Sequence, residues 1–141
     1  MRWRRALQMG SCFYLGLGSI QPSQLYISRV KLVRVQRTWG PPRLETLAPI
    51  PVVLLDGIVT STDGHTRALA AYREGVSGVP VYWDEDALDL EAYRICVGWC
   101  REAGIHTLRD LEGRLLAEAD YQTLWLGRCQ EMQATLASTR E

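Results

Sequence analysis

This sequence of 141 residues has few histidines and no long apolar run, and its first 44 residues include no acidic residue. No apolar run approaches the roughly 20 residues of a bilayer-spanning helix, so we expect a soluble protein without a membrane partner. Only two histidines are present, and the four cysteines have neither the paired spacing of a zinc site nor the density of a disulfide scaffold. We therefore expect no metal site on these residues, and reduced thiols in a cytoplasmic protein.

Acidic residues are absent from the first 44 residues, which hold eight basic side chains, and all sixteen acids lie from Glu45 onward. This asymmetry is typical of a basic arm that binds nucleic acid weakly by neutralising phosphates. It equally fits a basic half that packs beside its own acidic half or stays solvated. Because the basic residues are dispersed, the second interpretation is favoured. Export is not expected, because glycines interrupt the apolar patch that follows the arginine-rich start.

The clearest local pattern is a β-hairpin. Val52–Leu55 and Ile58–Thr62 are rich in β-branched residues and flank Asp56 and Gly57. An Asp-Gly pair between such runs favours a two-residue type I′ turn. The sequence therefore predicts two antiparallel strands joined at these two residues.

A helix and a further strand follow the hairpin. Asp63 is a suitable N-cap, helical spacing continues through Leu69 and Tyr72, and Gly75 can end the helix. Val79–Trp83 then has the character of a strand. A strand, helix and strand in this order favour a right-handed crossover between parallel strands.

Helical patterns dominate the rest of the chain. Ser28 can cap a helix that runs towards Trp39, although the valines there also suit a strand. After residue 86, helices are predicted around Tyr93 to Cys100, from Thr107, and along a stripe from Tyr121 to Met132. We therefore predict a mixed α/β (α+β) fold. Its parts are an N-terminal arm of residues 1–18, a core of residues 19–86 and a helical extension of residues 87–136 in the same domain.

The start of the helix after the hairpin carries groups suited to phosphate. The first amides of a helix lack intrahelical partners and bear the positive end of its dipole, and glycine lets an anion come close to them. Arg67 can add a bidentate clamp, and Thr66 a hydroxyl. His65 offers a donor or an acid/base group near neutral pH. The candidate phosphate site is Asp63, Gly64, His65, Thr66 and Arg67, although a capped helix with exposed polar residues explains the same pattern.

The stretch TDGHTRALAAYREGVSGVPVYW resembles the central segment of the ParB/sulfiredoxin superfamily. There a Gly-x-x-Arg turn leads from a strand into an alanine-rich helix, followed by a Val-Pro-Val strand. IQPSQLYIS and PIPVVLLDG resemble the family's opening strand and second strand, so the resemblance covers residues 20–83. It implies a small sheet with packed helices and a bound nucleotide, ATP, ADP or CTP with Mg²⁺, whose phosphates contact Gly64 and Arg67.

The chain also departs from the family's motifs. Sulfiredoxins have Gly-Cys-His-Arg at this turn and the partitioning proteins have Gly-Glu-Arg-Arg, whereas here His65 and Thr66 stand between Gly64 and Arg67. The nucleophilic cysteine of the first and the glutamate of the second are thus missing. The related serine kinases place an acidic residue in the opening segment, and IQPSQLYIS has none. No basic recognition helix follows Trp83, so sequence-specific DNA binding is not expected.

Two functions of different classes remain open. The first is a nucleotide-binding protein, either a phosphotransferase or a nucleotide hydrolase, with His65 as the candidate catalytic acid or base. The alternative is a non-catalytic adaptor that holds a protein partner through the C-terminal helices around Trp99 and Trp125. Asp84, Glu85 and Asp86 could place Mg²⁺ near the nucleotide, although a solvated acidic loop is commoner. Weak nucleic-acid binding by the basic arm ranks third.

Overall fold

A four-stranded mixed sheet forms the centre of the molecule. The computed structural model describes residues 11–38 and 47–141. The strands are β1 (Phe13–Gly16), β2 (Ile27–Ser28), β3 (Ile50–Leu55), β4 (Ile58–Ser61), β5 (Gly78–Trp83) and β6 (Leu115–Leu116). The main sheet has the order β1, β5, β3, β4, and β2 pairs separately with β6. With the helices described below, this architecture confirms the predicted mixed α+β fold.

The hairpin is confirmed at the predicted turn. β3 and β4 pair antiparallel, with Leu55 opposite Ile58. The two turn residues, Asp56 and Gly57, both have positive φ, at 50° and 81°. A type I′ turn requires positive φ at both central positions, and Asp-Gly adopts it readily.

The predicted parallel crossover joins a different pair of strands. β5 runs parallel to β3, with Ile50 opposite Val81, whereas β4 is antiparallel to β3. β5 therefore runs antiparallel to β4, and the prediction that the strands on either side of the helix are parallel was wrong. The hairpin reverses the chain before the helix begins, so the returning strand adds to the far side of β3.

The sheet also recruits residues that the sequence assigned to the N-terminal arm. β1 pairs antiparallel with β5, and Leu17, which directly follows β1, is fully buried. The core therefore begins earlier than residue 19, and the predicted arm does not extend to residue 18. Residues 1–10, which hold three of its arginines, lie outside the described residues.

Within residues 11–38 and 47–141, four longer α-helices accompany the strands, and the C-terminal part of the chain is mostly helical. These helices are α1 (Arg29–Thr38), α2 (His65–Arg73), α3 (Leu90–Glu102) and α4 (Arg128–Thr139). Glu118–Asp120 and a π-helical segment, Tyr121–Gly127, lead directly into α4. Short 3₁₀ helices lie at Leu17–Ser19 and Leu108–Gly113. None of the helices in the described part of the chain has the length and apolar character that a membrane span requires.

Several helix ends follow the predicted capping residues. The Ser28 hydroxyl accepts from the amide of Lys31, which confirms the cap of α1, while Trp39 lies outside the described residues. Thr107 and Asp110 form a reciprocal capping box, although the segment that it starts is a 3₁₀ helix. Gly104, with φ of 80°, follows the end of α3 as predicted.

The core lies between the sheet and α2. Ala68, Ala70 and Ala71 are fully buried, and their small side chains let α2 pack closely against α1 and the Leu108–Gly113 segment. Leu69 fills the core from the same helix. This packing fixes the axis of α2, and therefore the position of its first turn at the end of β4.

Candidate functional site

The candidate phosphate site starts at a glycine. Gly64 is the N-cap of α2 and adopts a left-handed conformation with φ of 78°. The Asp63 carboxylate accepts from the amide of Gly64 at 2.8 Å, so Asp63 fixes the residue before the helix and is not itself the predicted N-cap. Because glycine has no side chain, nothing on the capping residue covers the first-turn amides. Those amides have no partner within the helix.

Arg67 folds back over this glycine. Its Nη2 donates to the carbonyl of Pro49 at 3.3 Å. A Cβ atom added to Gly64 would lie 2.9 Å from the same Nη2, which shows how closely the guanidinium approaches the backbone. The Nε of Arg67 is buried and has no hydrogen-bond partner within residues 11–38 and 47–141. A buried donor left unpaired costs about 1–3 kcal/mol, so this group is poised to receive an acceptor.

His65 points into the protein. Its side chain is buried, and Nε2 accepts from the backbone amide of Ser23 at 3.0 Å and lies 2.9 Å from the hydroxyl of Ser61. A ring nitrogen that accepts from an amide carries no proton, so the proton of the neutral ring is on Nδ1. Nδ1 is also buried without a partner in the described part of the protein. The first turn of α2 therefore contains a second unpaired donor.

Burial lowers the pKa of His65 to about 4. The charge of Asp63 opposes this shift and that of Arg67 adds to it, but desolvation of the cation dominates. At neutral pH the imidazole is uncharged, so it can donate through Nδ1 but cannot serve as a strong acid. The sequence offered His65 as a donor or as an acid/base group near neutral pH, and the lowered pKa favours the first of these two roles.

The remaining candidate residues also differ from an exposed helix start. Thr66 is buried, Arg67 is half-buried, and Asp63 is exposed. The simpler interpretation, a capped helix whose first-turn side chains are all in solvent, does not describe this structure. The structure instead brings Gly64, His65, Thr66 and Arg67 into one compact turn at the edge of the core.

A cavity of about 220 Å³ adjoins this turn. His65 lines it at one end, and α3 and α4 supply the opposite wall. Besides His65, the polar residues of its wall are Ser23, Gln24, Thr62, Asp89, Tyr93 and Gln133. Sequence reasoning missed Ser23 and Thr62 as site residues, because Ser23 reaches the site only through a contact that spans 42 residues. Tyr93 lies on one of the predicted helices, and its hydroxyl donates to the carbonyl of Thr62.

The acidic segment after β5 is tied to the site by one carboxylate. The Thr62 hydroxyl donates to Oδ2 of Asp84 at 2.7 Å, and the amide of Asp86 donates to Oδ1 of the same side chain. The described residues contain no group of three or more His, Cys, Asp or Glu side chains that could hold a metal ion by themselves. Mg²⁺ bound through one carboxylate and nucleotide phosphates stays a prediction.

The two tryptophans proposed for partner binding pack on each other. Trp99 and Trp125 meet edge to face with ring centroids 6.1 Å apart, and Trp125 is buried. The guanidinium of Arg128 lies over the Trp99 ring, 4.0 Å from its centroid. These rings therefore stabilise the packing of α3 against the C-terminal helix.

The sequence matches no protein-family model and none of the curated proteins. Among solved structures, it aligns with the crystal structure of protein Atu1540 from Agrobacterium tumefaciens, with a TM-score of 0.45 and 16% identity. The alignment covers 67% of this chain and 49% of that chain, so the present sequence spans about half the length of Atu1540. The resemblance to the ParB/sulfiredoxin superfamily stays a prediction.

Proposed function

We propose that this protein binds a nucleotide, ATP, ADP or CTP, through its phosphates at the first turn of α2. The observation that carries the proposal is the buried, unpaired Nε of Arg67 beside a helix start that has no covering side chain. Unpaired buried donors are rare in folded proteins, and two of them occur here within three residues. A phosphate oxygen supplies the acceptor that both lack.

The electrostatics of the turn favour an anion. The amides of His65, Thr66 and Arg67 carry the positive end of the α2 dipole, and the Arg67 guanidinium adds a full charge. Among the described residues, the guanidinium donates a hydrogen bond to the Pro49 carbonyl at 3.3 Å, which is long for such a bond. The charge of Asp63 disfavours an anion, but this side chain is exposed and its Oδ1 is engaged by the amide of Gly64.

Turnover is the second part of the proposal. A phosphotransferase or nucleotide hydrolase needs a base or a positioned donor near the phosphate, and the neutral His65 offers its Nδ1–H as a donor. Its low pKa makes it a weak base, so we propose that His65 orients the ligand or a water more than it abstracts a proton. Bound Mg²⁺, held with the help of Asp84, would supply charge neutralisation at the phosphates. A cytoplasmic location, where these nucleotides are abundant, belongs to the same proposal.

Thermal denaturation with ATP, ADP, CTP and GTP, each with Mg²⁺, tests binding. At a ligand concentration about 100 times the dissociation constant, the free energy of unfolding should rise by about 2.7 kcal/mol. Arg67→Met should abolish this rise, because it keeps the stem and removes the guanidinium. Arg73→Met is the matched control, since Arg73 lies in the last turn of the same helix and contacts Glu112 on the surface. No rise with any nucleotide at millimolar concentration, or equal losses in both variants, would overturn the proposal.

A protein-binding adaptor is the second candidate, and for it we propose the sheet surface at Leu54 and Trp83 in place of the tryptophan pair, because Trp125 is buried. Leu54 and Trp83 are 63% and 48% exposed. The register, in which Val52 is opposite Trp83, places both side chains on the same face of the sheet. An adaptor would show concentration-dependent association that Leu54→Ser weakens, without any response to nucleotide.

A further inference from the structure

The cavity beside α2 contains two thiols from different helices. Cys96 of α3 and Cys129 of α4 both line it, and each thiol shifts the pKa of the other. Both are free thiols, with Cys96 buried and Cys129 partly accessible. Neither is required by the nucleotide proposal, which rests on the first turn of α2. Their proximity was not predicted, because 33 residues and a change of helix separate them in the sequence.

The two thiols have opposite acid–base character. The hydrogen bond from Cys96 and the charge of Arg128 lower the pKa of Cys129, although burial opposes them. The same hydrogen bond and burial raise the pKa of Cys96. Since the thiolate is the nucleophile in sulfur chemistry, Cys129 is suited to attack and Cys96 to follow.

We propose that Cys129 and Cys96 form a reactive dithiol that reduces low-molecular-weight disulfides and closes an internal disulfide between α3 and α4. The Cys129 thiolate attacks one sulfur of the small disulfide, and the S–S bond breaks. The first thiolate leaves and takes the proton of Cys96. Cys96 then attacks the Cys129 sulfur of the mixed disulfide and releases the second small thiolate, which is protonated by water. One small disulfide is reduced to two thiols while the two protein thiols are oxidised, so no further reactant is needed.

The surroundings of the pair fit this chemistry. Cys129 is accessible enough for attack, while the buried Cys96 is shielded from competing reagents. Met132 and Trp125 give the same cavity an apolar wall that can hold the carbon portion of a small disulfide. Cys100 lies one turn beyond Cys96, is fully buried and does not line the cavity. Burial raises the pKa of Cys100 to about 12, so it does not compete.

The experiment treats the full-length protein with oxidised glutathione, then alkylates the free thiols and maps the peptides by mass spectrometry. The wild type should yield a peptide pair bridged between Cys96 and Cys129. Cys96→Ser should instead accumulate glutathione on Cys129, because the resolving thiol is missing. Cys129→Ser should slow the consumption of oxidised glutathione by roughly tenfold or more, since it removes the thiolate.

Cys12 provides the matched control. It is partly accessible like Cys129, but burial raises its pKa and it has no neighbouring thiol within the described ranges. Cys12→Ser and Cys100→Ser should leave the bridge and its rate unchanged. Glutathione found on Cys12 alone in the wild type, or no bridged peptide under any ratio of oxidised to reduced glutathione, overturns the proposal. The wild-type readout does not depend on whether any variant folds, and neither outcome depends on nucleotide binding.

Discussion

Two of the regions in which the protein buries polar side chains differ in how those side chains are paired. Gln21 is 1% exposed, and its amide nitrogen donates to the carbonyls of Pro22 and Ile105 while its oxygen accepts from Arg101. The first turn of α2 also buries nitrogen donors, yet Nδ1 of His65 and Nε of Arg67 have no partner among the described residues. Both regions lie beside β4, so depth in the protein does not explain the difference.

A fully paired buried group holds structure together, whereas an unpaired one leaves room for a ligand. The side chain and backbone of Gln21 tie the N-terminal segment to β4, through Val59 and Ser61, and to the segment after α3. The two unpaired donors of the α2 turn, Nδ1 of His65 and Nε of Arg67, make no such link and destabilise the ligand-free fold. The comparison therefore predicts that changes at Gln21 alter stability, while changes at Arg67 alter binding.

The largest effect is expected at Gln21. Gln21→Leu preserves approximate volume but leaves the carbonyls of Pro22 and Ile105 and the guanidinium of Arg101 without their partner. Each unpaired buried group costs about 1–3 kcal/mol, so we expect the free energy of unfolding to fall by about 4 kcal/mol. Urea denaturation measures this loss. A loss below about 1 kcal/mol would show that the hydrogen bonds of Gln21 do not stabilise the fold, and would contradict the proposed difference between Gln21 and the α2 turn.

A loss of stability of similar size is expected from His65 as the pH falls. The folded pKa is about 4 and the ordinary value is 6.5, so the unfolded chain binds the extra proton first. The contribution of the neutral ring to the free energy of unfolding is therefore fully present above pH 6.5 and is lost as the pH falls towards 4. We expect a loss of about 3 kcal/mol between pH 7.5 and 4.

His65→Gln is the control for this pH dependence, because it removes the titration and leaves every carboxylate in place. Denaturant unfolding of both proteins across the pH range isolates the histidine as the difference between the two curves. Parallel curves would mean that the His65 ring is not desolvated in the folded protein.

Local chemistry made much of the fold predictable. The Asp56-Gly57 turn and the caps at Ser28 and Thr107 depend on residues within a few positions of one another, and each was found where the sequence placed it. β1 was missed because FYLG follows an arginine-rich start and was taken as part of an arm. Its strand character depends on pairing with β5, more than 60 residues away.

The site was predictable to the same extent. The start of the helix followed from the sequence to within one residue, since the N-cap is Gly64 and not Asp63, but the direction of His65 did not follow, because it is set by the amide of Ser23 and the hydroxyl of Ser61. Periodicity places a residue on a helix but does not say which loop packs against its first turn. For the same reason, the thiol pair on α3 and α4 became visible only in three dimensions.

Alanine substitutions at two glycines, Gly57 and Gly64, should have the next largest effect on stability. Gly57 and Gly64 have nearly the same φ, 81° and 78°, so alanine at either position costs about 1 kcal/mol of backbone strain. A Cβ at Gly57 would meet nothing within 4 Å, whereas one at Gly64 would lie 2.9 Å from Arg67 and 3.2 Å from Ile50. We expect Gly64→Ala to lose about 2 kcal/mol and the nucleotide response, and Gly57→Ala to lose about half as much and keep it. Equal behaviour in the thermal assay would argue against a ligand at this turn.

Arg67→Met should have the smallest effect on stability, although it should abolish nucleotide binding. Arg67→Met keeps the aliphatic stem, removes the unpaired Nε and gives up only the 3.3 Å contact to Pro49. The free energy of unfolding without ligand should therefore change by less than about 1 kcal/mol, because the lost hydrogen bond and the relieved desolvation oppose each other. Urea denaturation of the ligand-free protein gives this value directly. A loss of several kcal/mol would place Arg67 with Gln21 as a structural residue. A near-neutral variant that no longer responds to nucleotide would mean that the charged side chain of Arg67 serves a ligand and not the fold.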